Sequence, residues 1–311
     1  MATVSRIHEQ ITWQSNRKRL EAIRFHRMSD FARRNGLVTP LDYFLPTLNL
    51  GLKMSGLLYL GKKNALDLRL KEHELFYEHL PTSFDGYRVL HLTDLHLDCL
   101  PGIEQVICQK LEGLHYDTCV MTGDYRWKSI GDYDEKVLSP LKDIIACIQA
   151  KDGIYATLGN HDTSQIVEPL ESMGVKVLNN ESLYLQRGHE RILLTGLDDP
   201  HTYYTRYALE ALTNTNADFK LALIHSPELY SEAASCGYDL YLCGHTHGGQ
   251  VCLPGGFPLV TQLRKARHLY LGLWKHGRMT GYTSAGCGVS GLPVRFNSRG
   301  ELTIFTLRRK K

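Results

Sequence analysis

Five short segments carry side chains that bind metals: Asp94-Leu95-His96, Gly123-Asp124, Gly159-Asn160-His161-Asp162, His225 and Gly244-His245-Thr246-His247. Together they offer carboxylates, imidazoles and one carboxamide oxygen, and no thiolate. That donor set suits hard or borderline divalent ions, Mn, Fe or Zn foremost, with Mg also compatible. Seven residues form the candidate ligand set: Asp94, His96, Asp124, Asn160, His225, His245 and His247. They are too many for one tetrahedral ion and suit two ions that share a carboxylate. A pair of ions roughly 3.5–4 Å apart is the arrangement that displaces a leaving oxygen from phosphorus in line. The spacing has local reasons. On an extended strand end, residues i and i+2 point the same way, so Asp94 and His96 can reach one ion, and His245 and His247 can share a pocket. The glycines at 123, 159 and 244 permit tight turns and close backbone approach.

Short apolar runs precede these residues. Arg88–Thr93 leads to Asp94, Thr118–Thr122 to Asp124, and Ile154–Leu158 to Asn160. Arg191–Gly196 leads to Asp198 and Asp199, Phe219–Ile224 to His225, and Leu240–Cys243 to His245. The spacing predicts strands there and helices over Ile103–Gly113, Asp134–Ala150 and Ser164–Met173. Strands alternating with helices describe a layered α/β fold, which collects its ligands at the carboxyl ends of its strands.

In this order the motifs DLH, GDY, GNHD, a lone His after a strand, and GHTHGGQ resemble the calcineurin-like metallophosphoesterases. The resemblance runs from Phe84 to the C-terminus, and GHTHGGQ with Gly288–Phe296 (GVSGLPVRF) resembles the bacterial YkuE/YaeI-type branch. No ligand position departs from the family pattern. The resemblance implies a four-layer α/β/β/α sandwich over residues 81–311. Ahead of it, residues 1–80 read as a helical, basic extension, helical over 1–36 up to the Asn35-Gly36 stop and with room for a strand in Leu66–Leu80 before Pro81. It further implies that Asp94, His96, Asp124 and His247 hold one ion. Asp124, Asn160, His225 and His245 would hold the second, with Asp124 bridging and a hydroxide between the ions as nucleophile. His161 would meet charge on a phosphoryl oxygen or protonate the leaving oxygen, and Asp162 would orient His161. The resulting activity is hydrolysis of a phosphate ester or pyrophosphate bond.

Composition sets the remaining bounds. The chain has 311 residues, 43% hydrophobic and 22% charged, which is an ordinary globular profile. A net charge of +3 gives no reason to expect specific nucleic-acid binding. The basic character is concentrated at the front, where residues 1–40 carry eight Lys/Arg against three acids. Tyr43–Leu60 is the most apolar stretch, interrupted by Pro46, Asn49 and Lys53. It is short of the uncharged length a spanning helix needs. Two readings follow: a peripheral contact of residues 1–60 with the inner face of the cell membrane, or a helix packed on the catalytic domain. With the first, the substrate becomes a lipid-linked or nucleotide-linked phosphate; otherwise it is a small phosphorylated molecule. The eight cysteines form no C-x-x-C pair and read as small buried hydrophobes without a disulfide framework, in a reducing cytosolic compartment.

Lone residues have bland readings beside the chemical ones. His91 reads as a core histidine. His201 and Arg126 read either as substrate contacts or as loop residues, and Arg295 as a substrate contact or a structural ion pair. Gly248, Gly249 and Gln250 shape the turn behind His247. A metal-binding scaffold without turnover is the alternative of another class, opposed by the intact ligand set together with His161 and Asp162.

Overall fold

Alternation along the strands separates three apolar layers. On β2 (Tyr87–Leu92), Tyr87 and Val89 face one layer while Leu90 and Leu92 face another. On β12 (Glu301–Arg309), Phe305 and Leu307 join the first layer, and Leu302 and Ile304 the second. On β9 (Leu240–Cys243), Leu240 and Leu242 join the first layer while Tyr241 and Cys243 enter a third. This is what the two-residue period of a strand buried on both faces requires. The computed structural model describes residues 13, 15–24, 40–128, 133–213 and 217–310 of the chain.

The strands form two six-stranded sheets. The first runs β1 (Arg69–Tyr77), β12, β2, β3 (Thr118–Met121), β4 (Ile154–Ala156), β5 (Val175–Val177). The second runs β10 (Gly272–His276), β11 (Met279–Thr283), β9, β8 (Lys220–Leu223), β7 (Glu190–Gly196), β6 (Glu181–Arg187). The first apolar layer lies between the sheets. The second packs the outer face of the first sheet on α4 (Ile103–Leu111), α5 (Glu135–Cys147) and α6 (Val167–Ser172). The third packs the second sheet on α7 (Arg206–Thr213) and α8 (Tyr230–Ser235). The fold is the four-layer α/β/β/α sandwich expected.

The strands that lead to candidate ligands run parallel within each sheet: β2, β3 and β4 in one, β8 and β9 in the other, with β7 parallel to β8. Their carboxyl ends therefore come together at one end of the sandwich. The expected strands are all present, trimmed where the chain turns away to present a ligand.

Two expectations need correction. The segment drawn as a helical extension to residue 80 contains α2 (Pro40–Met54) and α3 (Leu57–Leu66), but Arg69–Tyr77 pairs along its length with β12. The strand allowed for in Leu66–Leu80 is therefore present and belongs to the sheet, an edge strand with one face exposed that mixes charges into its pattern. The second concerns cysteine. Cys108 and Cys147 form a disulfide between α4 and α5, their Cα atoms 5.7 Å apart. Both are half-buried on facing helices, and a sequence separation of 39 gives no pairing signal. The reading as buried hydrophobes holds for Cys119, Cys243, Cys252 and Cys287.

Of the front segment, residues 1–12, 14 and 25–39 lie outside the described residues. Residues 15–24 form a helix, α1, and its place is described below. Among the described residues, no helix is long and apolar enough to cross a membrane. Gly56, at φ 75°, breaks the apolar run between α2 and α3.

Candidate metal centre

All seven expected ligands meet at the carboxyl end of the sandwich, and all are buried. Five of them stand at positive φ: Asp94 (53°), His96 (40°), Asp124 (59°), His245 (74°) and His247 (53°). Left-handed backbone at a non-glycine residue costs free energy, and its concentration here marks turns shaped for side-chain placement. The glycines make room. A Cβ on Gly159 would collide with the Asp124 carboxylate, and one on Gly244 with that of Asp94.

The donor atoms fall into two groups. His96 Nε2 lies 3.1 Å from His247 Nε2, and His247 Nε2 lies 3.5 Å from Asp94 Oδ1. In the second group Asn160 Oδ1 lies 2.8 Å from His245 Nδ1 and 3.1 Å from His225 Nε2. Asp124 Oδ2 stands between them, 3.5 Å from His96 Nε2 and 3.3 Å from His225 Nε2. Two clusters, Asp94 with His96 and His247, and Asp94 with Asp124 and His225, bring their donor atoms close enough to hold a metal ion.

The chemistry of the donors also fits cations. His225 Nδ1 donates to the Thr122 carbonyl at 2.8 Å, so its Nε2 lone pair points at Asp124 Oδ2 and Asn160 Oδ1, both acceptors. Such a nitrogen needs a proton or a metal ion. Burial alone would lower the His225 pKa, but the carboxylates of Asp124, Asp94 and Asp199 outweigh it and hold it well above the usual range. The surrounding carboxylates thus favour positive charge at this nitrogen. Burial likewise would raise Asp124, yet His225 and His161 hold it well below the carboxylate range. Burial pushes His96 down to about 4 and His245 and His247 well below their ordinary value, leaving them neutral ligands.

Hydrogen bonds aim the carboxylates. Asp94 Oδ2 accepts from Thr93 Oγ1 at 2.9 Å, and the His245 amide is shared between Oδ2 (3.0 Å) and Oδ1 (3.2 Å), with Oδ1 the oxygen toward His247. Asp124 Oδ1 accepts from the His161 amide at 2.8 Å, leaving Oδ2 for both donor groups. Asp162 is placed otherwise than expected. Its carboxylate accepts from the amides of Asp124 (2.7 Å), Gly159 (2.8 Å) and Tyr125 (3.0 Å), and from the Tyr133 hydroxyl (3.2 Å). It ties two ligand loops together. The His161 ring is oriented instead by its Nδ1, which donates to the Trp127 carbonyl, and it stands edge-on to His96 with centroids 5.3 Å apart.

The lone residues sort similarly. His91 is a core histidine, bonded to Thr122 Oγ1 at 2.9 Å. His201 lies beside His245, centroids 4.9 Å apart and rings tilted by 44°, with its buried Nδ1 unpartnered among the described residues. Arg126 lies under Tyr133 and donates to Thr163 Oγ1 at 3.2 Å. Arg295 is fully buried and donates to the carbonyls of His247 (2.9 Å), Ala285 (2.6 Å) and Gly288 (2.7 Å), a carbonyl clamp in place of an ion pair. Gln250 joins the turn behind His247 to Ser290 and Leu292.

The helix α1 lies within the front segment read as helical, but its contacts were not foreseen. Arg17, 1% exposed, pairs with buried Asp198 beyond β7 and lies 3.3 Å over the Tyr203 ring. Removing one partner of such a pair typically costs about 3–5 kcal/mol. Trp13 Nε1 donates to Asp198 Oδ2 at 3.0 Å. Asp198 had been visible as a strand-end acid, but nothing linked it to a residue 181 positions earlier.

The family profile described as calcineurin-like phosphoesterase matches residues 87–249. The chain is 26% identical over 259 residues to the uncharacterized metallophosphoesterase YkoQ of Bacillus subtilis (strain 168), a match covering 79% of this chain and 93% of that protein. To YkuE of the same organism, also described as an uncharacterized metallophosphoesterase, it is 28% identical, over 76% of this chain and 84% of that protein. To the phosphodiesterase YaeI of Escherichia coli (strain K12) it is 28% identical, over 71% and 82%.

Proposed function

The chain belongs to the calcineurin-like phosphoesterase family and is a metal-dependent phosphoesterase; from that premise we propose that it hydrolyses a phosphodiester or pyrophosphate bond at a centre of two divalent ions, Mn, Fe or Zn. The observation that carries this reading is Asp124 Oδ2, one carboxylate oxygen within 3.5 Å of a nitrogen in each donor group. Asp94, His96 and His247 complete one site; Asn160, His225 and His245 complete the other. Ions bound there supply Lewis acidity toward phosphoryl oxygens and an activated water. With Nδ1–H committed to the Trp127 carbonyl, Nε2 of His161 is the ring nitrogen left to pass a proton to the leaving oxygen, a step that requires the doubly protonated ring. The relative YaeI, described as a phosphodiesterase, favours a diester over a monoester.

A second observation favours a lipid-linked substrate held at a membrane surface. Leu50, Met54, Leu57, Tyr59 and Leu60 of α2 and α3 are exposed, as are Leu253, Phe257, Leu259 and Val260. Both runs adjoin the 294–296 segment: Gly61 abuts Val294 and Phe296, and Phe296 hydrogen-bonds Cys252. Exposed Lys53, Lys62, Lys63, Arg264 and Lys265 flank them, as an anionic bilayer would select.

One metal-reconstituted panel tests both readings. Protein stripped by chelator should be inactive and, once reloaded with Mn, should turn over a bis-aryl phosphate faster than an aryl monophosphate or a cyclic nucleotide. Turnover by stripped protein contradicts the metal mechanism. A UDP-linked lipid should be cleaved faster in anionic vesicles than in detergent, the advantage vanishing at high salt. Equal rates in the two media eliminate the membrane reading.

A further inference from the structure

We propose that α1 is a working part of the metal centre: Arg17 and Arg24 are positioning residues that fix the 159–162 loop, and through it Asn160, His161 and the shared carboxylate of Asp124. The proposal rests on the two-ion reading above.

Three carbonyls of that loop receive guanidinium donors from α1. Arg17 Nη2 donates to the carbonyl of Asp162 at 2.7 Å and to that of Gly159 at 3.4 Å, and Arg24 Nη1 donates to that of Asn160. The last contact reaches furthest. The carbonyl of Asn160 and the amide N–H of His161 belong to one peptide group. Arg24 holds its oxygen, and its N–H donates to Asp124 Oδ1 at 2.8 Å. A cation on the carbonyl polarises the peptide, strengthens the N–H as a donor and fixes the plane that aims Asp124 Oδ2 between the donor groups. The same plane sets the directions in which the Asn160 and His161 side chains leave the backbone. Between the two arginines, Glu21 receives the Ser164 amide at 2.7 Å and hydroxyl at 3.0 Å, closing the loop's far end.

The helix is anchored on the opposite sheet. Arg17 pairs with Asp198, Trp13 donates to the same carboxylate, and Arg24 donates to the Tyr203 hydroxyl at 3.1 Å. Asp198 and Tyr203 follow β7 of the second sheet, whereas the 159–162 loop follows β4 of the first. α1 thus spans the end of the sandwich where ligands from the two sheets must meet. The family match begins at residue 87, so this element lies outside what family membership assigns.

The test is a calorimetric Mn titration of the full chain carrying Arg24→Ala or Arg17→Ala, with kcat and KM measured on a bis-aryl phosphate. Arg24 is half-buried, so Arg24→Ala keeps the test decisive should Arg17→Ala not fold. Loss of a residue that orients a ligand typically weakens metal affinity by roughly 10–100-fold. The expected result is a loss of that size for the more weakly held ion, with a fall in kcat and little change in KM. Methylguanidinium should partly restore Arg17→Ala, which a merely destabilised fold would not allow. Wild-type Mn affinities and kcat in folded Arg24→Ala would overturn the proposal. Should wild type bind only one ion, the two-ion reading fails by itself, and the variants are judged on the affinity of the ion that binds.

Discussion

Asp124→Asn lowers turnover by several orders of magnitude while leaving the fold in place. The amide keeps the shape of the carboxylate and one acceptor for the His161 amide, so the backbone contact at 2.8 Å survives. What disappears is the one anion within 3.5 Å of a donor nitrogen in each group. Each ~1.4 kcal/mol of lost transition-state stabilisation is a tenfold loss of rate, and a shared metal ligand supports several kcal/mol of charge stabilisation. A fall of about a thousandfold or more follows. The same change removes the largest influence raising the His225 pKa, so metal-free Asp124→Asn should lose that imidazolium as well. Kinetics at saturating Mn, with circular dichroism as the control for folding, check this. Near-normal turnover would mean that Asp124 does not join the two groups.

His161→Ala should show the second largest effect, of a different kind. His161 belongs to neither donor group; its ring is held by the Trp127 carbonyl and stands edge-on to His96. Both ions should therefore remain bound. The rate on a poor leaving group should fall roughly a hundredfold to ten-thousandfold, the usual reach of general-acid catalysis. On a nitrophenyl ester, whose leaving oxygen needs no proton, the loss should shrink. His245→Ala makes the contrast: with Nδ1 2.8 Å from Asn160 Oδ1, its removal should weaken metal retention and slow both esters alike. Equal slowing of both esters by His161→Ala, with metals intact, would leave His161 only the stabilisation of a phosphoryl oxygen. Loss of a metal would make it a ligand.

The parts legible in the sequence were those with local causes. Asp94 and His96, or His245 and His247, are two residues apart after an apolar strand; the chain shows that spacing, but the extended strand end invoked for it is replaced by left-handed turns beyond the strands. Tight contacts such as Gly159 against Asp124 follow from glycine beside a ligand. The parts that were hidden depend on long-range pairing. β12 lies between β1 and β2 in the first sheet, yet residues 301–309 carry no ligand and drew no notice. A strand in Leu66–Leu80 was legible, but not that it would pair with β12. The Cys108–Cys147 bridge and the contact of Arg17 with Asp198 join residues 39 and 181 positions apart, beyond any periodicity. Asp162 illustrates a subtler gap. Its neighbour in sequence is His161, so a carboxylate behind an imidazole was the local reading, whereas folding spends it on the amides of Asp124, Tyr125 and Gly159. Proximity in sequence identified the right residue and the wrong partner.

The two-ion centre is tested most directly by counting ions. Purified full-length protein, loaded with Mn and freed of excess metal, should contain close to two ions per chain by elemental analysis. Asp124→Asn should hold fewer, because one anion contributes to both sites. Wild-type protein that retains at most one ion after loading with either Mn or Zn would contradict the account.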